Sequence, residues 1–191
     1  MAGVIQKTGE EPNSEDFEAY AKTLLTEYTE VSNLQIAPDG VISQVYPYDE
    51  RLIGHDHLSD PKHELEARAA MESRQPNLVG PLSWTETGES ALVGHVPIFI
   101  DDKFWGFTIS FIWMDEFLSG IELENLQASG YEYQLSHRPM ESGEWQGFVQ
   151  PDKADFQADV EIPIAVPQSP DCILGLAAKN PAVSTRLSEN S

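Results

Sequence analysis

Three apolar runs, residues 77–84, 90–100 and 104–114, follow one another with only the five residues 85–89, which hold Thr87-Gly88-Glu89, and Asp101-Asp102-Lys103 between them. Breaks this short cannot carry a chain across a sheet, so the three runs must pair antiparallel if they pair at all. Their Val, Ile, Phe and Trp content suits pleated, half-buried strands, and the polar breaks suit turns. The chain is thus expected to hold a meander, and the remaining segments must supply its other strands and its cover.

Upstream, Asn13 and Ser14 offer caps to a segment with Glu15 and Asp16 in its first turn, the pattern of a helix start. Phe17, Tyr20, Ala21, Leu24, Leu25, Tyr28 and Val31 then recur at three- and four-residue steps, which places them on one stripe of an amphipathic helix over 13–31. Residues 1–12 are polar with a Glu-Glu-Pro break and read as a flexible lead-in. Two short β-like runs, 33–37 and 41–46, flank Pro38-Asp39-Gly40, a strong turn signal, and predict a hairpin. Asp60-Pro61 opens a Glu- and Ala-rich stretch to about Arg74, closed by Pro76, and predicts a second helix. Asp115 caps a short helix with Phe117, Leu118, Ile121 and Leu123. Beyond Gly130, runs at 131–135, 145–149, 160–166 and 172–177 predict a second, smaller β region.

Composition sets the classes to exclude. At 191 residues the chain buries a sizeable core without disulfides or metal. With 11 basic against 32 acidic residues, a net charge of −21 repels a phosphate backbone and an anionic bilayer surface alike. Nucleic acid is therefore not an expected partner. The lone cysteine, Cys172 beside Ile173 and Leu174, reads as a small buried hydrophobe. No apolar run reaches membrane-spanning length, and the first residues lack a secretory apolar segment; the chain is read as cytosolic or as a piece of a longer protein.

Ordered blocks between Asn33 and Leu118 resemble the CHASE domain. They are Ile36-Ala37-Pro38-Asp39-Gly40-Val41-Ile42, Val45-Tyr46-Pro47, Ile53-Gly54-His55-Asp56-His57-Leu58, Ala67-Arg68, Leu78-Val79-Gly80-Pro81-Leu82, Val96-Pro97-Ile98-Phe99 and Phe104-Trp105-Gly106-Phe107. Gly130-Tyr131-Glu132-Tyr133 and Leu174-Gly175-Leu176-Ala177 are similar to the membrane-proximal half of bacterial members. The expected fold is α+β: a leading amphipathic helix, a PAS-like antiparallel five-stranded sheet with helices on one side over 32–118, and a smaller β-rich lobe over 119–179, with 180–191 as a flexible end. The resemblance implies an extracytoplasmic sensor, held between membrane helices in a homodimer and joined to a histidine kinase, a diguanylate cyclase or a nucleotide cyclase. On this reading the chain is an isolated ectodomain and is not itself an enzyme.

Asp56 stands where the family resemblance places the ligand-binding aspartate of plant cytokinin receptors, which makes a purine-like heterocycle one candidate ligand. A carboxylate beside apolar walls accepts hydrogen bonds from such a ring or from an amine. The alternative is that Asp56 only braces a turn. Leu78, Val79 and Gly80 are expected to face it from the first meander strand, Gly80 admitting a ligand close to the backbone; Tyr46 and His57 complete the expected site. Trp105, Phe107 and Phe111 alternate on one strand face and read as core. His55, His57 and His63 invite a metal reading, but they lack a cysteine partner and any HExxH spacing, so no metal or other cofactor is expected. Catalytic signatures are missing: no nucleophile elbow, no phosphate loop, and nothing that selects two of 32 acids as a pair. The rivals are an interaction module whose pocket is filled by side chains and, behind it, a small hydrolase using a carboxylate pair.

Overall fold

The computed structural model describes residues 1–61, 64–83, 90–121, 123–139, 142–151, 156–164 and 172–179. It divides into two compact units, the first holding Met1–Phe117 and the second beginning at Leu118.

The first unit is a five-stranded antiparallel sheet in the order β2-β1-β5-β4-β3, with β1 at Asn33–Pro38, β2 at Gln44–Tyr46, β3 at Asn77–Ser83, β4 at Ser90–Ile100 and β5 at Lys103–Trp113. The meander is present, and its second turn has a clear local cause. Asp101 and Asp102 both sit at positive φ, 47° and 63°, as a two-residue hairpin turn twisted like its strands requires. In the first hairpin, Asp39 (φ 52°) and Gly40 (φ 91°) turn the chain. The second strand is shorter than its sequence run: only residues 44–46 pair with β1, while Val41 bridges Asp56. The Ile42 amide donates to His55 O and the His57 amide to Gly40 O, so the segment after the hairpin is laid against 40–42. The turn Thr87-Gly88-Glu89 lies outside the described residues.

Each face of this sheet has its own core. On one side, α3 (Glu64–Ser73) brings Ala67 and Ala70 against Ala37, Ile42, Val45, Ala91, Val93, Phe107, Ile109 and Phe111, with Leu52 and Leu58 at the margin. On the other, α1 (Ala2–Thr8) and α2 (Ser14–Glu27) bring Ile5, Phe17 and Ala21 onto Leu34, Ile36 and Ile98.

Two expectations need correction here. Residues 1–12, read as a flexible lead-in, contain α1, whose Ile5 is 0% exposed; seven residues are too few to hold a helix alone, and the burial of Ile5 supplies the missing stabilisation. The leading helix stops at Glu27 rather than Val31. Asn13 caps its start by accepting from the Asp16 amide at 2.9 Å, but Tyr28 leaves helical geometry and is 53% exposed, and of the seven-residue stripe only Phe17 and Ala21 are fully buried.

The second unit carries a four-stranded antiparallel sheet in the order β7-β6-β9-β8, with β6 at Tyr131–His137, β7 at Gln146–Val149, β8 at Val160–Ile164 and β9 at Cys172–Ala178. The part of the third run at residues 165–166, and the C-terminal stretch 180–191, lie outside the described residues. The division between units falls within α4 (Met114–Gly120), and a short α5 (Glu124–Ala128), not foreseen in the sequence, precedes β6.

Candidate functional site

Cross-strand register decides which side chains of the first sheet share a face, because directly paired residues point the same way. One row crosses the sheet as Val45, Gln35, Ile109, His95 and Asn77. It lies on the α3 side, since Val45 and Ile109 belong to that core. Three of its five members are polar and buried: Gln35 is 3% exposed, His95 0% and Asn77 6%.

Burying such groups costs several kcal/mol unless they are hydrogen-bonded, and here a chain of contacts serves most of them. Asn77 Nδ2 donates to Glu66 O of α3 at 2.7 Å, which fixes the other amide atom, Oδ1, as an acceptor. His95 Nδ1 lies 3.2 Å from that oxygen, so it carries a proton and donates. In neutral His95 the remaining nitrogen, Nε2, is then an acceptor, and it faces His57 Nδ1 at 3.2 Å. His57 is 4% exposed and packs edge-on to both His55 and His95. Against Phe107 the His95 ring packs edge to face, with centroids 5.5 Å apart. Gln35 is served only on one side: Nε2 donates to Asn33 Oδ1 at 2.8 Å, while Oε1 is buried without a partner among the described residues.

The segment 53–60 that supplies His57 is itself braced by Asp56. Its carboxylate accepts from the Leu58 amide at 2.8 Å and from Ser59 Oγ at 2.7 Å, and its side chain abuts the Gly40 turn, where Leu58 leaves no room for a larger residue. The Ser59 hydroxyl chiefly, helped by the Leu58 amide and the nearby His55 and Arg68, holds the Asp56 carboxyl below the usual carboxylate range against a smaller opposing effect of burial. Arg68 of α3 ties the segment to the helix by donating to Leu58 O at 2.9 Å while pairing with Glu64. His55 Nε2 lies 3.0 Å from Asp60 Oδ2. Of the histidines considered for metal, His63 lies outside the described residues, and no group of three or more ligating side chains occurs among the described ones.

The other expected site residues separate by face. Val79 pairs with Val93 and so lies on the α3 side, 2% exposed. Gly80 follows at φ 126°, and a β-carbon there would come within 2.6 Å of Ala91 O, so its bareness serves the β3–β4 contact. Tyr46 and Leu78 belong to a different row, Tyr46, Leu34, Ser110, Gly94 and Leu78, on the α1/α2 side. Tyr46 there lines an open cleft of about 360 Å³ with Phe17, Glu18, Gln44, Tyr48 and Ile53. Thus the structure brings His57 and Val79 toward one face, keeps the Asp56 carboxylate within its own turn, and sets Tyr46 and Leu78 on the other face. Sequence reading missed His95, Asn77 and Gln35; the available signal was their inward-facing parity with Ile109, Val93 and Val79.

The model of the CHASE domain matches residues 15–144. None of the curated proteins matches the chain. Several solved structures share the fold. The ligand-binding domain of the Pseudomonas fluorescens chemoreceptor CtaA, in complex with L-serine, superimposes with a TM-score of 0.65 at 14% identity, over 93% of this chain and 83% of that one. That of the Pseudomonas aeruginosa amino acid chemoreceptor PctC, in complex with GABA, gives 0.60 at 12% identity over 87% and 82%. The extracellular domain of the putative histidine kinase rpHK1S-Z16 gives 0.58 at 13% identity over 96% and 84%. At these identities the likeness is one of fold.

Proposed function

The chain belongs to the CHASE-domain family, a family of extracellular sensory domains, and from that premise we propose that it binds a small ligand bearing N–H donors on the α3 side of its first sheet. The ligand class is an amine or a flat N–H-bearing heterocycle, a purine among them. Binding there is read by an output module outside this sequence, such as a histidine kinase or a diguanylate cyclase. The observation that carries this reading is the polar row across the floor of the α3-side core, in which Gln35 Oε1 is buried with its hydrogen bond unmade. An unmet buried acceptor costs about 1–3 kcal/mol, and a ligand donor would recover it. We further assign to this face Asp56 and His57 of segment 53–60, His57 meeting the row at His95, and Val79 and Gly80 of β3, the strand at the far end of the row. The amine-bearing ligands named for the CtaA and PctC structures support the same chemistry.

No helix among the described residues is long and apolar enough to cross a membrane; anchoring and dimerisation belong to the longer protein this reading implies. Signalling then follows from differential affinity. A ligand that prefers one arrangement of segment 53–60 shifts the populations of the two states only by that preference, and α2, packed on the reverse of the same sheet, is the element that carries the shift outward.

A thermal-shift panel of amino acids, simple amines and purines tests the proposal. A hit should keep Gln35→Leu as stable as the parent, or more so, while abolishing the ligand-induced shift, and Asp56→Asn should weaken the same ligand. A ligand whose affinity survives both substitutions would sink it.

A further inference from the structure

We infer that the second unit holds a binding site of its own, for a neutral polyhydroxylated ligand of the monosaccharide class. The four-stranded sheet has two unlike faces. Leu135, His137, Leu174 and Leu176 point to one, where Leu135, His137 and Leu176 are buried. The opposite face is the floor of a hollow of about 570 Å³. Two cross-strand rows make that floor: Gly147, Ser136 and Ile173, then Gln134, Gly175 and Glu161. Its walls are Trp145, which is 46% exposed, and the residues Phe156, Gln157 and Ala158.

Two features mark this as a ligand surface rather than an imperfect core. The first is hydrogen-bonding capacity left open: the side chains of Gln134, Ser136, Gln157 and Glu161 have no hydrogen-bond or ion-pair partner among the described residues. Two carboxamides, a hydroxyl and a carboxylate offer donors and acceptors in turn, in the way a ring of hydroxyls does. The second is the pairing of those groups with aromatic surface. Trp145 and Phe156 supply aromatic surface, Arg138 lying over the Trp145 ring at 5.6 Å, and against such surface the C–H side of a sugar ring packs while its hydroxyls reach the amides. Glycines at 147 and 175 keep the floor low; at Gly175 a β-carbon would sit 3.1 Å from Ala158 Cβ and 3.4 Å from the Phe156 ring.

Charge selects against the alternatives. None of the described lining residues is cationic, the nearby Arg138 guanidinium stacks on the Trp145 ring with its central carbon 5.6 Å from the centroid, and the chain carries −21, so an anionic ligand is disfavoured. The single carboxylate, Glu161, lies in an exposed strand, where water weakens its hold on a cation but leaves it able to accept hydroxyl donors. Neutral hydrogen-bonding ligands fit what remains. Only second-unit residues take part, so the inference stands apart from the site proposed in the first unit.

The test is a titration of the full chain with D-glucose, D-galactose and N-acetyl-D-glucosamine, followed by backbone amide shifts. At least one sugar should move Gln134, Ser136, Glu161 and Gly175 along one saturating curve. Glu161→Gln and Gln134→Leu should each weaken it about tenfold, the loss expected for one well-made hydrogen bond, with unchanged melting. Trp145→Ala should weaken it further. L-serine and GABA should leave these amides unmoved. No saturable shift with any sugar, shifts indifferent to Glu161→Gln and Gln134→Leu, or saturation by the amino acids instead would overturn the assignment. Binding at the first unit is read separately, through Gln35→Leu and Asp56→Asn, so failure of either site leaves the other measurable.

Discussion

The two faces of the first sheet are woven from the same strands, yet they bury different chemistry. On the α1/α2 side the core is hydrocarbon: Ile5, Phe17, Ala21, Leu34, Ile36 and Ile98. On the α3 side an equally apolar cluster is crossed by Gln35, His95 and Asn77 and overlaid by His57. A polar row in a core stabilises less than hydrocarbon of the same shape and demands that every partner be in place. The difference teaches how each face holds together: the hydrocarbon face needs only close packing, whereas the mixed face also needs each buried polar group to meet its partner.

The strongest way to break that comparison is to hollow the mixed face at its apolar centre. Phe107 is fully buried there, and Phe107→Ala should cost about 3–5 kcal/mol, read by denaturant unfolding with Trp105 and Trp113 as reporters; a loss under about 1 kcal/mol would mean that α3 and its segment contribute little to the unit. Next, Ile5→Ala should cost about 2–4 kcal/mol, which tests whether seven helical residues at the very start belong to the hydrocarbon face. If removing residues 1–9 leaves the unfolding midpoint where it was, they do not.

Smaller effects sharpen the contrast. His95→Leu removes the group that faces Asn77 Oδ1 and His57 Nδ1 inside the core, so it should destabilise by about 1–3 kcal/mol even though it adds hydrocarbon, whereas Gln35→Leu in the same row removes an unmet acceptor and should cost nothing. A cost at His95 and none at Gln35, two strands apart in one row and alike in burial, would be the signature of one satisfied and one waiting group. The smallest effect is one of pH. Because Asp56 titrates below its ordinary carboxyl value when folded, its contribution is fully present above that ordinary value, 3.8, and fades as pH falls through the folded one. Asp56→Asn should flatten a shallow loss of stability below pH 3.8, measured by acid titration of the melting temperature.

Much of this architecture was legible in sequence, because the signals were local. Asn13 with Asp16 three residues on, Pro38-Asp39-Gly40, and Asp101-Asp102 each name a cap or turn by the backbone geometry they tolerate, and the strands between them follow. The helix α1 was not legible, since Met1 to Thr8 has no periodic stripe and owes its order to where Ile5 lands. Neither was the division of the expected site: Tyr46 and Leu78 sit in one cross-strand row and Val79 in the next, and only register across β1, β5 and β4 reveals which face each joins. Asp56 carried its bracing role in plain view, in the Ser59 three residues later, yet spacing alone could not say whether the serine or a ligand would take the carboxylate. His95 was hidden because a single histidine in an apolar strand looks like any other inward residue until its neighbours are known.

The strand order β2-β1-β5-β4-β3 has one further consequence. It puts at the two borders the strands least able to act as templates: β2, three residues long and followed by Pro47, and β3, whose ladder slips between Val79 and Leu82 around a proline without an amide hydrogen. Neither border offers an uninterrupted rail of free backbone groups on which another polypeptide could crystallise into the sheet. Copies of this lobe at high concentration are thereby hindered from zipping into fibres through these borders.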